Sequence, residues 1–160
     1  IGSRTAEIAQ GFGADVRYWN RNRKKDYEKK GIKYEEKDTL LKNSDFISIN
    51  FAHTSETDKF LDENAFSKIK AGAIVVNTVP METTDLVALE KRLKKNDMIF
   101  ILDHSDEMKQ EELNILHKYK NCIIYPPIAF ISKEARVNKQ NLFVGNIENF
   151  LKDNPTNVVN

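Results

Sequence analysis

The 160-residue sequence is poor in cysteine, proline and glycine, with one, four and six of them. A single thiol excludes an intramolecular disulfide and a cysteine-rich metal site, and points to a reducing, cytoplasmic compartment. Charge of one sign is also lacking: 25 Lys and Arg face 24 Asp and Glu, a formal net charge of +1. That balance argues against a protein that coats nucleic acid or binds membranes through a polybasic surface. No apolar run approaches the roughly 20 residues that span a bilayer. There is no Gly-x-Ser-x-Gly elbow and no Walker loop, so hydrolase and NTPase readings fall away. The three histidines, His53, His104 and His117, are far apart with no i, i+4 pairing, and no metal site is expected. The sequence opens Ile1-Gly2-Ser3-Arg4 without an initiator Met or a secretory signal pattern, and reads as if entered part-way.

What is present is alternation. Apolar, β-rich runs recur at Val16–Trp19, Phe46–Asn50, Ala73–Asn77, Met98–Leu102 and Cys122–Tyr125. Continuous apolar runs between polar loops suit strands buried on both faces. Helical patterns separate them at Arg4–Phe12, Glu63–Ile69, Asp85–Lys95 and Gln110–Tyr119, and a last helix is expected over Lys133–Leu151. In the third of these, Leu86, Leu89 and Leu93 recur at helical spacing, with Glu90, Lys91, Arg92 and Lys94 expected to face outward. Lys24–Lys30 mixes Asp26, Tyr27 and Glu28 among lysines, the pattern of a solvated helix face. Tyr18, Trp19, Phe46, Phe51, Phe100 and Phe130 fit core or crevice packing better than a nucleic-acid stacking platform. Strand alternating with helix predicts an α/β fold, a parallel sheet wrapped by helices. In such sheets strand C-termini and helix N-termini converge on one ligand crevice. The loops at 20–25, 51–54, 78–82, 103–108 and 126–130 should therefore share one edge.

Several ordered motifs resemble one family. Ile1-Gly2-Ser3-Arg4-Thr5-Ala6, followed by Phe12-Gly13-Ala14-Asp15-Val16, is similar to the end of a dinucleotide-binding glycine fingerprint, with Gly2 as its third glycine. Ser44–Asn50 with Thr54, Glu56 and Thr57 looks like an SD-x-(V/I)-S-L-H-x-P-L-T-x-E-T stretch, and Lys70–Thr78 like K-x-G-A-x-x-(V/I)-N-T. Asn146–Leu151 with Asn157–Asn160 resembles the matching C-terminal ending. The family is the D-isomer-specific 2-hydroxyacid dehydrogenases, and the resemblance covers essentially the whole chain. It implies a Rossmann-type doubly wound parallel sheet lacking its first strand here, which would leave an exposed apolar edge. It also implies a NAD(P)-binding domain over residues 1–132, incomplete at its N-terminus. Residues 133–160 would form a helix and tail returning toward an absent substrate domain. A homodimer and hydride transfer to or from a 2-keto or 2-hydroxy acid are further implications.

Cofactor choice is expected at the end of the first apolar run. The acidic residue that normally binds the ribose hydroxyls is replaced by Asn20, followed by Arg21, Asn22, Arg23, Lys24 and Lys25. An amide does not repel a 2′-phosphate and a guanidinium can clamp it, so NADP is favoured over NAD, with Arg21 and Arg23 as clamp candidates. A solvated cationic loop is the bland alternative. Ile1, Gly2, Thr78, Val79, Pro80, Asp103, Ile128 and Ala129 complete the cofactor residues that the resemblance implies.

The catalytic positions depart from the family. Its substrate-binding Arg aligns with Pro80, its Glu with Met108 and its acid His with Pro127. Proline has no titratable group and no N–H, so the family's own trio cannot act here. His104, between Asp103 and the carboxylates Asp106 and Glu107, is the candidate substitute acid; an imidazole so placed can hold and deliver a proton. Glu82 and Glu107 are further candidates, His53 is a weaker one, and His117 is expected at the surface. Two functions stay open: a divergent NAD(P)-dependent oxidoreductase, or a catalytically inactive dinucleotide-binding or regulatory protein.

Overall fold

Each of the five apolar runs becomes a strand in the computed structural model, which describes residues 1–128 and 131–159. The element order is α1 (Gly2–Gly11), β1 (Arg17–Tyr18), α2 (Lys25–Lys29), β2 (Lys33–Tyr34), α3 (Lys37–Asn43), β3 (Phe46–Ile49), α4 (Glu63–Lys68), β4 (Ile74–Asn77), α5 (Leu86–Leu93), β5 (Ile99–Leu102), α6 (Gln110–Leu116), β6 (Cys122–Ile124) and α7 (Lys133–Leu151). The chain divides into two compact units, Ile1–Pro126 and Pro127–Asn160. The second unit contains α7, whose N-cap Ser132 accepts from the Ala135 N–H.

In the first unit the strands form two parallel sheets, one of β1 and β2 and one in the order β3-β4-β5-β6. The larger sheet is in unbroken register, with Ile47, Val75, Phe100 and Cys122 across one row and Ile49, Asn77, Leu102 and Ile124 across another. These rows face the core, where Leu41 of α3, Phe66 of α4, Leu89 and Leu93 of α5 and Leu116 of α6 cover them. The opposite face is far more open. Phe46 is 75% exposed, and Ile99 and Ile123 are partly exposed on the same face. The helix α1 buries no residue, and Phe12 at its end is almost fully exposed. It is held at its two ends. At the start, a Cβ added to Gly2 would meet the Asn50 Cβ at 2.9 Å. At the other end Gln10 Nε2 donates to the Lys30 carbonyl, 2.9 Å.

Two features differ from the sequence expectation. Arg92 does not face outward; it is buried, 7% exposed, with Nη2 donating to the Ile69 carbonyl at 3.0 Å and an ion-pair contact to Asp97 at 3.2 Å. The guanidinium satisfies a carbonyl beyond the end of α4 that no backbone donor reaches, a use of Arg that helical periodicity cannot show. The elements β2 and α3 were not expected at all. Strand β2 has two residues, one of them exposed, and α3 buries only Leu41, so neither carries an apolar run.

Cys122 is buried in β6, and loss of solvent pushes its thiol up to about 11 from 9.0. The native chain is therefore expected to resist maleimide at pH 8 and to react on unfolding in urea. The raised pKa stabilises the fold fully below the unfolded value. That stabilisation is lost as pH climbs from 9.0 to about 11. The urea midpoint should fall over that window, and less steeply in Cys122→Ala. Gly2→Val should cost about 1–3 kcal/mol through overpacking against Asn50, and Asn50→Gly, which removes the Cβ it meets, should restore part of it.

Candidate functional site

Because β3 to β6 are parallel and in register, their following loops leave the sheet at one edge. The chain after β3 carries Asn50 and Phe51, and that after β4 carries Thr78, Val79 and Pro80. The loop after β5 carries Asp103 and His104. Two loops are stitched together by backbone bonds. Lys59 N–H donates to the Glu82 carbonyl at 2.8 Å, Leu61 N–H to Thr83 at 2.9 Å, and Asp85 N–H back to Leu61 at 3.1 Å. Ser105 Oγ donates to the Tyr125 carbonyl at 3.1 Å, joining the loops after β5 and β6. Asn77, 1% exposed, braces the turn after β4: its Oδ1 accepts from Val79 N–H at 3.3 Å and its Nδ2 points to Met81 Sδ at 3.2 Å.

The cationic loop after β1 is ordered by Tyr18, whose hydroxyl accepts from Lys24 N–H at 2.6 Å and donates to Glu28 at 3.1 Å. Burial raises the Tyr18 pKa above its usual value. Arg23 forms a fork with both Glu28 oxygens, 2.6 Å each, and lies 5.1 Å over the Tyr34 ring. The pairing holds the Glu28 carboxyl below its ordinary range and Arg23 above its own. Asn20 Nδ2 donates to the Asn22 carbonyl at 2.8 Å, and the exposed Arg21 pairs instead with Glu56 from the loop after β3. Between the segments that carry that pair, Trp19 packs on Phe60 at 5.2 Å and Phe60 meets Phe51 at 4.9 Å, with Lys37 Nζ 4.6 Å from the Phe60 ring centre.

At the end of β5, Asp103 Oδ1 is buried with no hydrogen-bond partner among the described residues. His104 Nε2 is 3.9 Å from it, beyond hydrogen-bond reach, while His104 Nδ1 lies 3.1 Å from Glu107. Glu82 is exposed in a single 3-10 turn, Met81–Thr83. Met108 packs against the core. His53 Nε2 lies 3.4 Å from Asp58, and exposed His117 turns its Nδ1 to the Leu113 carbonyl. Pro127 and Ile128 belong to the second unit, and Ala129 lies outside the described residues. Ile1 is fully exposed at the N-terminus of α1, and its carbonyl accepts from Arg4 and Thr5.

The first unit thus brings Gly2, Asn20, Arg21, Thr78, Val79, Pro80, Asp103 and His104 to the strand ends or the α1 terminus. Trp19 and Phe51 pack in the crevice as expected, but sequence reasoning missed the side chains that meet the expected residues at this edge: Asn50 under Gly2, Asn77 in the turn, Glu56 opposite Arg21, and Phe60 between Trp19 and Phe51. Asn50, Glu56 and Asn77 all fall inside the recognised motif stretches, and that was the available signal. Among the described residues no three His, Cys, Asp or Glu side chains converge as a metal site, and no helix is long and apolar enough to cross a membrane.

Residues 1–129 match the family model described as D-isomer specific 2-hydroxyacid dehydrogenase, NAD binding domain. A glyoxylate reductase of Thermococcus litoralis is 35% identical over all of this chain and 49% of its own length. A hydroxypyruvate reductase of Blautia hydrogenotrophica is 32% identical over all of the chain and 50% of its own. Among solved structures, apo D-lactate dehydrogenase from Escherichia coli superposes with a TM-score of 0.88 at 25% identity, covering 98% of this chain and 50% of that one. An acyclic imino acid reductase in complex with NADPH and D-Arg superposes with a TM-score of 0.82 at 29% identity, covering 100% and 50%. The chain spans about half the length of the curated relatives it matches. With the parallel sheet, the tight approach of Gly2 and the ordered motifs agreeing with these likenesses, the chain belongs to the D-isomer-specific 2-hydroxyacid dehydrogenases, as their NAD-binding domain.

Proposed function

We propose that the protein containing this chain is a nicotinamide-dinucleotide-dependent oxidoreductase of 2-keto or 2-hydroxy acids, with a preference for NADP. The observation that carries the reading is the Asp103 Oδ1 at the crevice, buried and without a hydrogen-bond partner among the described residues. A buried acceptor without a donor is costly, and a ligand amide would remove that cost. The group fits the dinucleotide, whose carboxamide offers such an N–H. The close approach of Gly2 to Asn50 fits the third fingerprint glycine, which lets the helix pack against the strand end so that its N-terminus is placed for a pyrophosphate. When bound, the dinucleotide supplies or accepts the hydride.

This chain's own residues then have distinct tasks. Asn77 holds the turn that presents Thr78 and Val79, and Asp103 orients the amide end of the ligand. Asn20 presents no negative charge to a 2′-phosphate, and Arg21 offers a guanidinium fork to it. Arg23 is the weaker clamp because Glu28 already occupies its fork. His104, half-buried and backed by Glu107, is the proposed proton donor in place of the family's His, with Glu82 and Glu107 as alternatives of less favourable exposure. Glu107 acts by keeping the imidazole turned and charge-compensated. A second reading, a catalytically inactive dinucleotide binder, draws support from Pro80 and Met108: neither can bind a carboxylate or move a proton, and Met108 is packed against the core. We extend to the protein the family's homodimer and a nicotinamide dinucleotide partner.

Calorimetry on the intact protein should give tighter binding of NADPH than of NADH. A keto-acid screen should then find turnover. Binding of either dinucleotide without turnover on any keto acid leaves only the second reading; no binding removes both. His104→Gln should lower kcat by about 10²-fold or more while leaving NADPH Kd nearly unchanged. An unaltered kcat removes His104 from the mechanism.

A further inference from the structure

Arg21 and Glu56 lie 35 residues apart in sequence, one after β1 and the other after β3, yet their side chains form a charge-assisted pair. Both are largely exposed, at 72% and 67%. The loops that carry them are fixed from below. Trp19, two residues before Arg21, stacks on Phe60, four residues after Glu56, and Phe51 closes the group from the end of β3. The Glu56 loop is itself folded into a hydroxyl-bridged turn. Thr54 N–H donates to Thr57 Oγ1, and Thr57 Oγ1 donates to the Ala52 carbonyl, 2.8 Å each. The pair is therefore a contact between two preset loops. Arg23 differs: its fork is closed by Glu28, five residues away in the same segment.

A carboxylate on a guanidinium uses the same donor fork that a phosphate monoester would use. Resting on the NADP reading above, we propose that Glu56 is a specificity-determining residue: it occupies Arg21 in the free protein as an internal stand-in for the cofactor's 2′-phosphate and must be displaced when NADPH binds. NADH makes no demand on Arg21 and leaves the pair intact. Glu56 thus penalises NADPH twice, by holding its clamp and by leaving a carboxylate beside the incoming phosphate. The penalty is modest because exposed ion pairs are weak. It acts on one cofactor only, and so it narrows the margin by which Arg21 favours NADPH over NADH.

The test is a double-mutant cycle on the intact protein, with Glu56→Gln, Arg21→Ala and the double variant titrated with NADPH and with NADH. Glu56→Gln is expected to tighten NADPH about threefold to tenfold and to move NADH by less than about twofold. In the Arg21→Ala background the same substitution should tighten NADPH by clearly less, because only the repulsion between carboxylate and phosphate is then left to relieve. If Arg21→Ala weakens NADPH but Glu56→Gln leaves it unmoved, weakens it, or tightens NADH equally, Glu56 has no such role and Arg21 remains the clamp. If Arg21→Ala leaves the NADPH-to-NADH ratio as it was, the NADP reading falls and the role of Glu56 falls with it.

Discussion

Parallel pairing in unbroken register across β3, β4, β5 and β6 is the constraint from which the site follows. Each of these strands must be re-entered from the same end, so every connection crosses over through a helix, and every outgoing loop leaves at the same edge. The row Ile49, Asn77, Leu102 and Ile124 marks that edge. The residues immediately beyond it, Asn50, Thr78, Asp103 and Tyr125, are brought level by backbone hydrogen bonding and not by contacts among themselves. Burial of one face against α3 to α6 then locks the register, because a slip by one residue would turn Val75 and Phe100 outward.

On this rigid base the site is assembled from two kinds of contact. Backbone stitches, such as Lys59 to Glu82 and Leu61 to Thr83, fix where the loops lie. Side-chain contacts then decide what the loops present. Asn77 shapes one turn from within, while Tyr18 gathers Lys24 and Glu28 and so consumes Arg23 in a local pair. The result is a crevice whose cations are not equivalent: Arg23 is structural in its commitments, whereas Arg21 is met from across the edge by Glu56.

The larger sheet was legible in the sequence because its strands are buried runs such as Ile74-Val75-Val76 and Phe100-Ile101-Leu102, where hydrophobicity speaks directly. The helix Lys133–Leu151 was legible from its length and its stop at Asp153-Asn154-Pro155. What escaped was polar. The strand β2 and helix α3 bury too little to leave a pattern, and Arg92 is buried for a hydrogen bond that periodicity assigns to solvent. In the site, the motif residues Gly2, Asn20, Arg21 and Asp103 could be named in advance. Their partners Asn50 and Glu56 could not, since pairing between loops dozens of residues apart depends on the fold itself.

The division into two sheets carries a consequence for how the first unit opens. Strands β3 to β6 bury most of one face, whereas β1 and β2 share only the pairs Arg17–Lys33 and Tyr18–Tyr34, and α1 buries no residue. Local unfolding should begin where the least apolar surface must be exposed. Amide protons of α1, β1 and β2 are therefore the first to exchange with solvent, and those of β4 and β5 the last. The segment proposed to read the cofactor's sugar thus belongs to the part of the unit that opens most readily.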